Sequence, residues 1–125
     1  MINTLTARLR SFRYAFAGLQ TLVATQPNFR IHLLVAALVV TAAAMLHVSR
    51  ADWLWLTVAI CGVLVAEAFN TALEFLADAV STEHHPLIGK TKDCAATAVL
   101  LTALGAFVIG ILVLGPYLLQ IVSLR

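Results

Sequence analysis

The chain has 125 residues, 62% hydrophobic and 11% charged, with a mean hydropathy of +0.97 and a formal net charge of +2. Soluble domains carry about a quarter charged residues, and a chain this short and apolar cannot cover its own surface with polar groups. A water-soluble domain is excluded; one small all-α integral membrane domain is predicted, with lipid and not nucleic acid as its expected surroundings.

The first element is amphipathic. Leu5, Leu9, Phe12, Phe16, Leu19 and Val23 recur at alternating four- and three-residue steps, with Arg10, Arg13 and Gln20 on the opposite face. This pattern predicts a helix over residues 4–25. Its basic polar face suits the membrane interface; packing on a partner protein is the alternative. Arg8, Arg10 and Arg13 recur before the first long apolar run, so no cleavable signal peptide is expected. Pro27 and Asn28 mark the turn into the first span.

Three transmembrane helices follow, over about 29–48, 53–80 and 94–115. The second run, about 28 residues at 1.5 Å each, is roughly 42 Å long, enough for a span and an extension. The third holds no charge, and Pro116 follows it. Cys61 and Cys94 stand in or beside these helices at no metal-ligand spacing and read as buried small hydrophobes.

Lysine and arginine placement sets the orientation. Arg8, Arg10, Arg13, Arg30, Lys90 and Lys92 fall in the N-terminal region or the 81–93 loop, and only Arg50 and Arg125 fall on the other side. The N-terminus and that loop are therefore expected in the cytoplasm and the C-terminus outside, with Trp53, Trp55 and Tyr117 forming an outer aromatic belt.

The second span carries Glu67, Asn70, Glu74 and Asp78 at steps of three, four and four, which places them inside an arc of roughly 40–80°. Carboxylates in or near hydrocarbon are costly and normally functional. Three classes of function compete for this stripe: helix packing in an oligomer, a proton or ion pathway, and an enzyme site. A pathway needs polar groups across the whole membrane, yet Leu54 to Ala66 offers only Trp55, Thr57 and Cys61. An enzyme transferring phosphoryl groups needs metal-binding carboxylates, a cation and a base together. Arg30, His32, Glu83, His84, His85, Lys90, Lys92 and Asp93 lie at the level of the stripe and supply that chemistry. Gly89-Lys90-Thr91 is no Walker loop, because His84 stands where the motif requires glycine and no strand precedes it. His84 and His85 read as solvated loop residues unless a nucleotide lies nearby.

Glu67-Ala-Phe-Asn-Thr-Ala-Leu-Glu74, Asp78, then Glu83-His-His-Pro-Leu-Ile-Gly-Lys-Thr-Lys-Asp93 with Ala95-Ala96, closely resemble the prokaryotic diacylglycerol kinase family, which includes the undecaprenol kinases. The likeness extends upstream through Arg10-Ser-Phe-Arg-Tyr14, Gly18 and Asn28-Phe-Arg-Ile-His32. It implies a homotrimeric kinase of the bacterial inner membrane that uses MgATP to phosphorylate a lipid hydroxyl, its sites lying between subunits near the cytoplasmic surface. Carried over by position, Glu67 is the catalytic base. Asn70 orients the reacting groups and Glu74 binds Mg²⁺. Tyr14, Gln26, Glu74, Glu83, His85, Gly89, Lys92 and Asp93 contact ATP. Arg8, Arg10, Arg30 and Ala96, with Glu67 and Asn70, form the lipid-substrate set. The resemblance gives Asp78 no firm role.

One residue departs from the pattern. Gln26 stands where the family usually has a second metal-binding glutamate, offering a neutral oxygen where Mg²⁺ prefers an anionic one. Weakened metal binding is expected, with loss of activity as the alternative. Asn28-Phe-Arg-Ile-His32 and His85-Pro-Leu look more like the undecaprenol kinases than the diacylglycerol-specific members. Both acceptors present a primary hydroxyl, and the sequence leaves the choice open.

Overall fold

The protein was examined as a computed structural model, which describes residues 2–80 and 85–123. Four helices follow one another: α1 (Ile2–Thr25), α2 (Pro27–Met45), α3 (Arg50–Val80) and α4 (Pro86–Ser123). α2, α3 and α4 are each long and apolar enough to cross a membrane. At 1.5 Å per residue, α3 and α4 reach about 46 and 57 Å, longer than a hydrocarbon core of about 30 Å.

Local chemistry sets the boundaries. Gln26 is extended, at φ −108° and ψ 105°, as the residue before a proline must be, and Pro27 opens α2 at a position whose N–H has no helical partner. α1 and α2 are thus separated by a single residue. α2 closes with a Schellman turn: Val48 N–H donates to Ala43 O at 3.2 Å and His47 N–H to Ala44 O at 3.3 Å. His47 occupies the left-handed position usually given to glycine, at φ 51°.

α3 opens with a reciprocal cap, in which Asp52 N–H donates to Ser49 Oγ at 3.2 Å and Ser49 N–H to Asp52 Oδ2 at 3.3 Å. Tyr117 of α4 joins it, donating its hydroxyl to Asp52 Oδ2 at 2.7 Å. The core lies at this end of the bundle, where Ala43, Val48, Leu56 and Val113 pack beneath Trp53 and Tyr117. At the other end Lys92 Nζ pairs with Asp78 Oδ1 at 2.5 Å. These two contacts mark the two ends of the antiparallel α3–α4 pair. α3 packs most extensively on α4 and less on α2, while the main packing of α1 is against α2.

Three features differ from the sequence-based expectation. Residues 86–93, expected in a loop, form the first turns of α4: Pro86 suits a helix start, and His85 Nδ1 caps it by accepting Leu87 N–H at 3.2 Å. Pro116 lies inside α4, which continues to Ser123. Cys61 and Cys94 are exposed on the surface of the chain instead of buried.

The apolar stripe of α1 is uncovered, with Leu9, Phe12 and Phe16 each more than 60% exposed. In water this would be untenable, and at a bilayer interface it is the expected state. An apolar groove of about 560 Å³ runs between α2 and α4 over α3, lined by residues such as Val35, Ile60, Val63 and Ala106, with His32 its one polar lining residue.

Candidate functional site

The stripe on α3 is the polar heart of the bundle. Glu67 is 2% exposed, Asn70 7% and Thr71 1%, and these three are the buried polar side chains among the described residues. Helical geometry turns them inward together, because the side of α3 that carries Leu56 and Val63 into the bundle carries Glu67 and Thr71 one and two turns further on. Asn70 Nδ2 donates to Glu74 Oε1 at 3.1 Å, an i to i+4 contact that orients the Glu74 carboxylate. Glu67 makes no hydrogen bond among the described residues, so its carboxylate is free for a ligand. His32 on α2 and Glu74 lie within electrostatic reach of it.

Among the described residues two buried side-chain atoms have no partner: Asn70 Oδ1 and Thr71 Oγ1. An unpartnered polar atom in an apolar interior costs roughly 1–3 kcal/mol. Inside a bilayer, water is not at hand to relieve it. Thr71 lies on the same arc as the acidic stripe, four residues after Glu67, yet its type drew no notice in the sequence. Helical phase alone places it there: residues 67, 71, 74 and 78 share one face.

The other candidate residues divide by place. Gln26 is half-buried at the break between α1 and α2. Arg30 is exposed on the first turn of α2. Lys92 is held by Asp78, which gives that residue a contact the sequence had not indicated. Gly89 is half-buried in the first turn of α4, with its N–H bonded to His85 O at 3.1 Å, and Asp93 and Ala96 are exposed further along it. His85 is exposed and occupied with capping. Arg8, Arg10 and Tyr14 lie exposed on α1, whose main packing is against α2. Glu83 and His84 lie outside the described residues.

No group of three histidine, cysteine, aspartate or glutamate side chains among the described residues forms a metal cage. One carboxylate with a neutral oxygen is instead the type of donor set that binds Mg²⁺ together with substrate phosphates and water.

The sequence matches the family described as prokaryotic diacylglycerol kinase over residues 13–114. A diacylglycerol kinase of Synechocystis sp. is 45% identical over 114 residues, 90% of this chain and 65% of that relative. An undecaprenol kinase of Bacillus subtilis is 33% identical over 116 residues, 93% of this chain and 94% of the relative. A diacylglycerol kinase of Escherichia coli is 27% identical over 103 residues, 82% and 84% of the two chains. With its helical membrane fold and its acidic stripe on α3, the chain belongs to the prokaryotic diacylglycerol kinase family, a family of membrane lipid kinases.

Proposed function

We propose that this protein transfers the γ-phosphate of MgATP to the hydroxyl of a membrane lipid alcohol, diacylglycerol or undecaprenol, at the cytoplasmic interface of the bacterial inner membrane. The observation that carries the reading is Glu67, a residue only 2% exposed that makes no hydrogen bond among the described residues, one turn from the Asn70–Glu74 pair. Glu67 takes the proton of the acceptor hydroxyl, the alcohol oxygen bonds to the γ-phosphorus, and the bond to the β-phosphate bridging oxygen breaks, releasing ADP. Asn70 orients Glu74, whose carboxylate, with Gln26 as a weak neutral donor, would hold the metal. Mg²⁺ arriving with ATP supplies charge neutralisation at the phosphates. Lys92, held by Asp78, meets the phosphates with Arg30. Asp93, Gly89, His85, Glu83 and Tyr14 complete the nucleotide contacts.

The groove between α2 and α4 has the chemistry of a lipid tail and runs past Val63 toward Glu67. Arg8, Arg10 and Ala96 complete the acceptor's surroundings. Because Arg8, Arg10 and Tyr14 lie exposed on α1, where a neighbouring copy could meet them, the reading includes a homotrimer whose sites use two subunits. Lys and Arg placement puts the Lys92 end in the cytoplasm and the C-terminus outside.

The test uses purified protein in bilayer discs with γ-labelled MgATP and each lipid alcohol in turn. Label is expected in one or both lipids, and Glu67→Gln should lower the rate at least about a hundredfold while the oligomer persists. Failure to label any lipid alcohol, in the wild type and in Gln26→Glu alike, would end the kinase reading. Full activity in Glu67→Gln would reassign the base.

A further inference from the structure

Threonines in this chain follow a habit. Thr21, Thr25, Thr41, Thr57, Thr91, Thr97 and Thr102 each donate their hydroxyl to the carbonyl four residues earlier. Thr71 does not, although it is the most deeply buried of the helical threonines, at 1% exposure. Its buried hydroxyl has no hydrogen-bond partner among the described residues, the carbonyl of Glu67 included. One turn back, on the same face, Glu67 is 2% exposed and makes no hydrogen bond among the described residues. Side chains at i and i+4 on a helix have Cβ atoms roughly 5–6 Å apart, so a donor and an acceptor there meet after rotation of the side chains alone.

From this pairing we infer that Thr71 is a positioning residue for Glu67: its hydroxyl donates to the Glu67 carboxylate and aims the remaining oxygen at the acceptor alcohol. The inference rests on Glu67 being the proton acceptor. A hydroxyl bonded to its own backbone could not serve, which gives the exception at Thr71 a purpose. Asn70 Oδ1, the other unpartnered atom, has no proton to give and stays available to a donor from substrate or water.

The test compares the wild type with Thr71→Val, which keeps shape and loses the hydroxyl, Thr71→Ala, which loses both, and Thr71→Ser, which keeps the hydroxyl. In bilayer discs with MgATP and lipid alcohol, Val and Ala variants are expected to lose about ten- to a hundredfold in kcat, with KM for either substrate within about twofold. Ser should recover most of the rate. A kcat loss below about fivefold, a change confined to KM, or no recovery in Ser would overturn the assignment.

A second readout needs no turnover. The infrared carboxyl band that disappears in Glu67→Gln should shift in Thr71→Val and stay in place in Thr71→Ser; an identical band in the wild type and Thr71→Val would overturn the inference. If the wild type transferred phosphate to no lipid while the band still shifted, the kinase reading would fail and the Thr71–Glu67 contact would stand.

Discussion

Single side chains carry much of what distinguishes this protein. Gln26 is proposed to meet the metal without a charge, on a backbone fixed as extended by Pro27. Gln26→Glu adds an anionic oxygen there, so the Mg²⁺ concentration for half-maximal activity should fall several-fold. An unchanged Mg²⁺ dependence would show that Gln26 stands clear of the metal. His47 presents a stability question. A left-handed backbone places Cβ too close to the following carbonyl, which costs roughly 1–2 kcal/mol for a non-glycine residue. Here the Nδ1 contact to Met45 O at 3.0 Å offsets part of that cost. His47→Val should therefore lower the thermal midpoint, because a β-branched residue adapts worst to that conformation and forms no such contact. His47→Gly should not lower it. Thermal unfolding of the three proteins in one detergent decides; equal midpoints for Val and His would show that the turn is relaxed.

At the scale of elements, α3 and α4 form a rigid pair with unlike ends. The Asp52–Tyr117 end is a network around one carboxylate, coupling the cap of α3 to α4 by bonds of 2.7 Å from Ser49 Oγ and from Tyr117. Tyr117→Phe removes the link between helices, and a lower thermal midpoint with kcat preserved is expected. The Asp78–Lys92 end is an ion pair with side chains 66% and 36% exposed, worth between nothing and about 1 kcal/mol. Asp78→Asn should accordingly leave the midpoint unchanged while raising KM for ATP about two- to fivefold, since Lys92 loses its tether. A fall in KM would mean that Asp78 competes with the nucleotide for Lys92. Much of this layout was legible in the sequence. The apolar runs showed three spans, the 4–3 spacing showed α1, and the step pattern from Glu67 to Asp78 showed an inward stripe. Other parts could not be read. The helical start of α4 depends on a histidine acting as a cap, a role the residue type does not announce. Pro116 broke nothing because a helix that has lost one hydrogen bond keeps its remaining contacts. Thr71 escaped notice because threonine in an apolar helix ordinarily satisfies itself, and only its unpartnered hydroxyl shows the exception.

The proposed kinase site would draw on more than one chain. Glu67 is buried, Glu74 and Lys92 are partly exposed, and Arg8, Arg10 and Tyr14 lie exposed on α1, whose main packing is against α2. In a closed oligomer a neighbouring copy can supply what each chain lacks, and rotational symmetry would repeat that contact at every interface. Complementation tests this arrangement directly. Glu67→Gln destroys the base but keeps α1; a variant carrying Arg10→Ala and Tyr14→Ala damages α1 but keeps the base. Each alone should be nearly inactive. Co-expressed in equal amounts and assembled at random, sites that draw α1 from one subunit and the stripe from its neighbour should be intact in about a quarter of cases. Lipid-kinase activity should therefore reappear at that order in the mixed preparation. Mixing the two proteins after separate purification, without subunit exchange, should restore nothing. Absence of recovery in verified mixed oligomers would place the whole site within one chain and require α1 to fold back onto α3 when nucleotide binds.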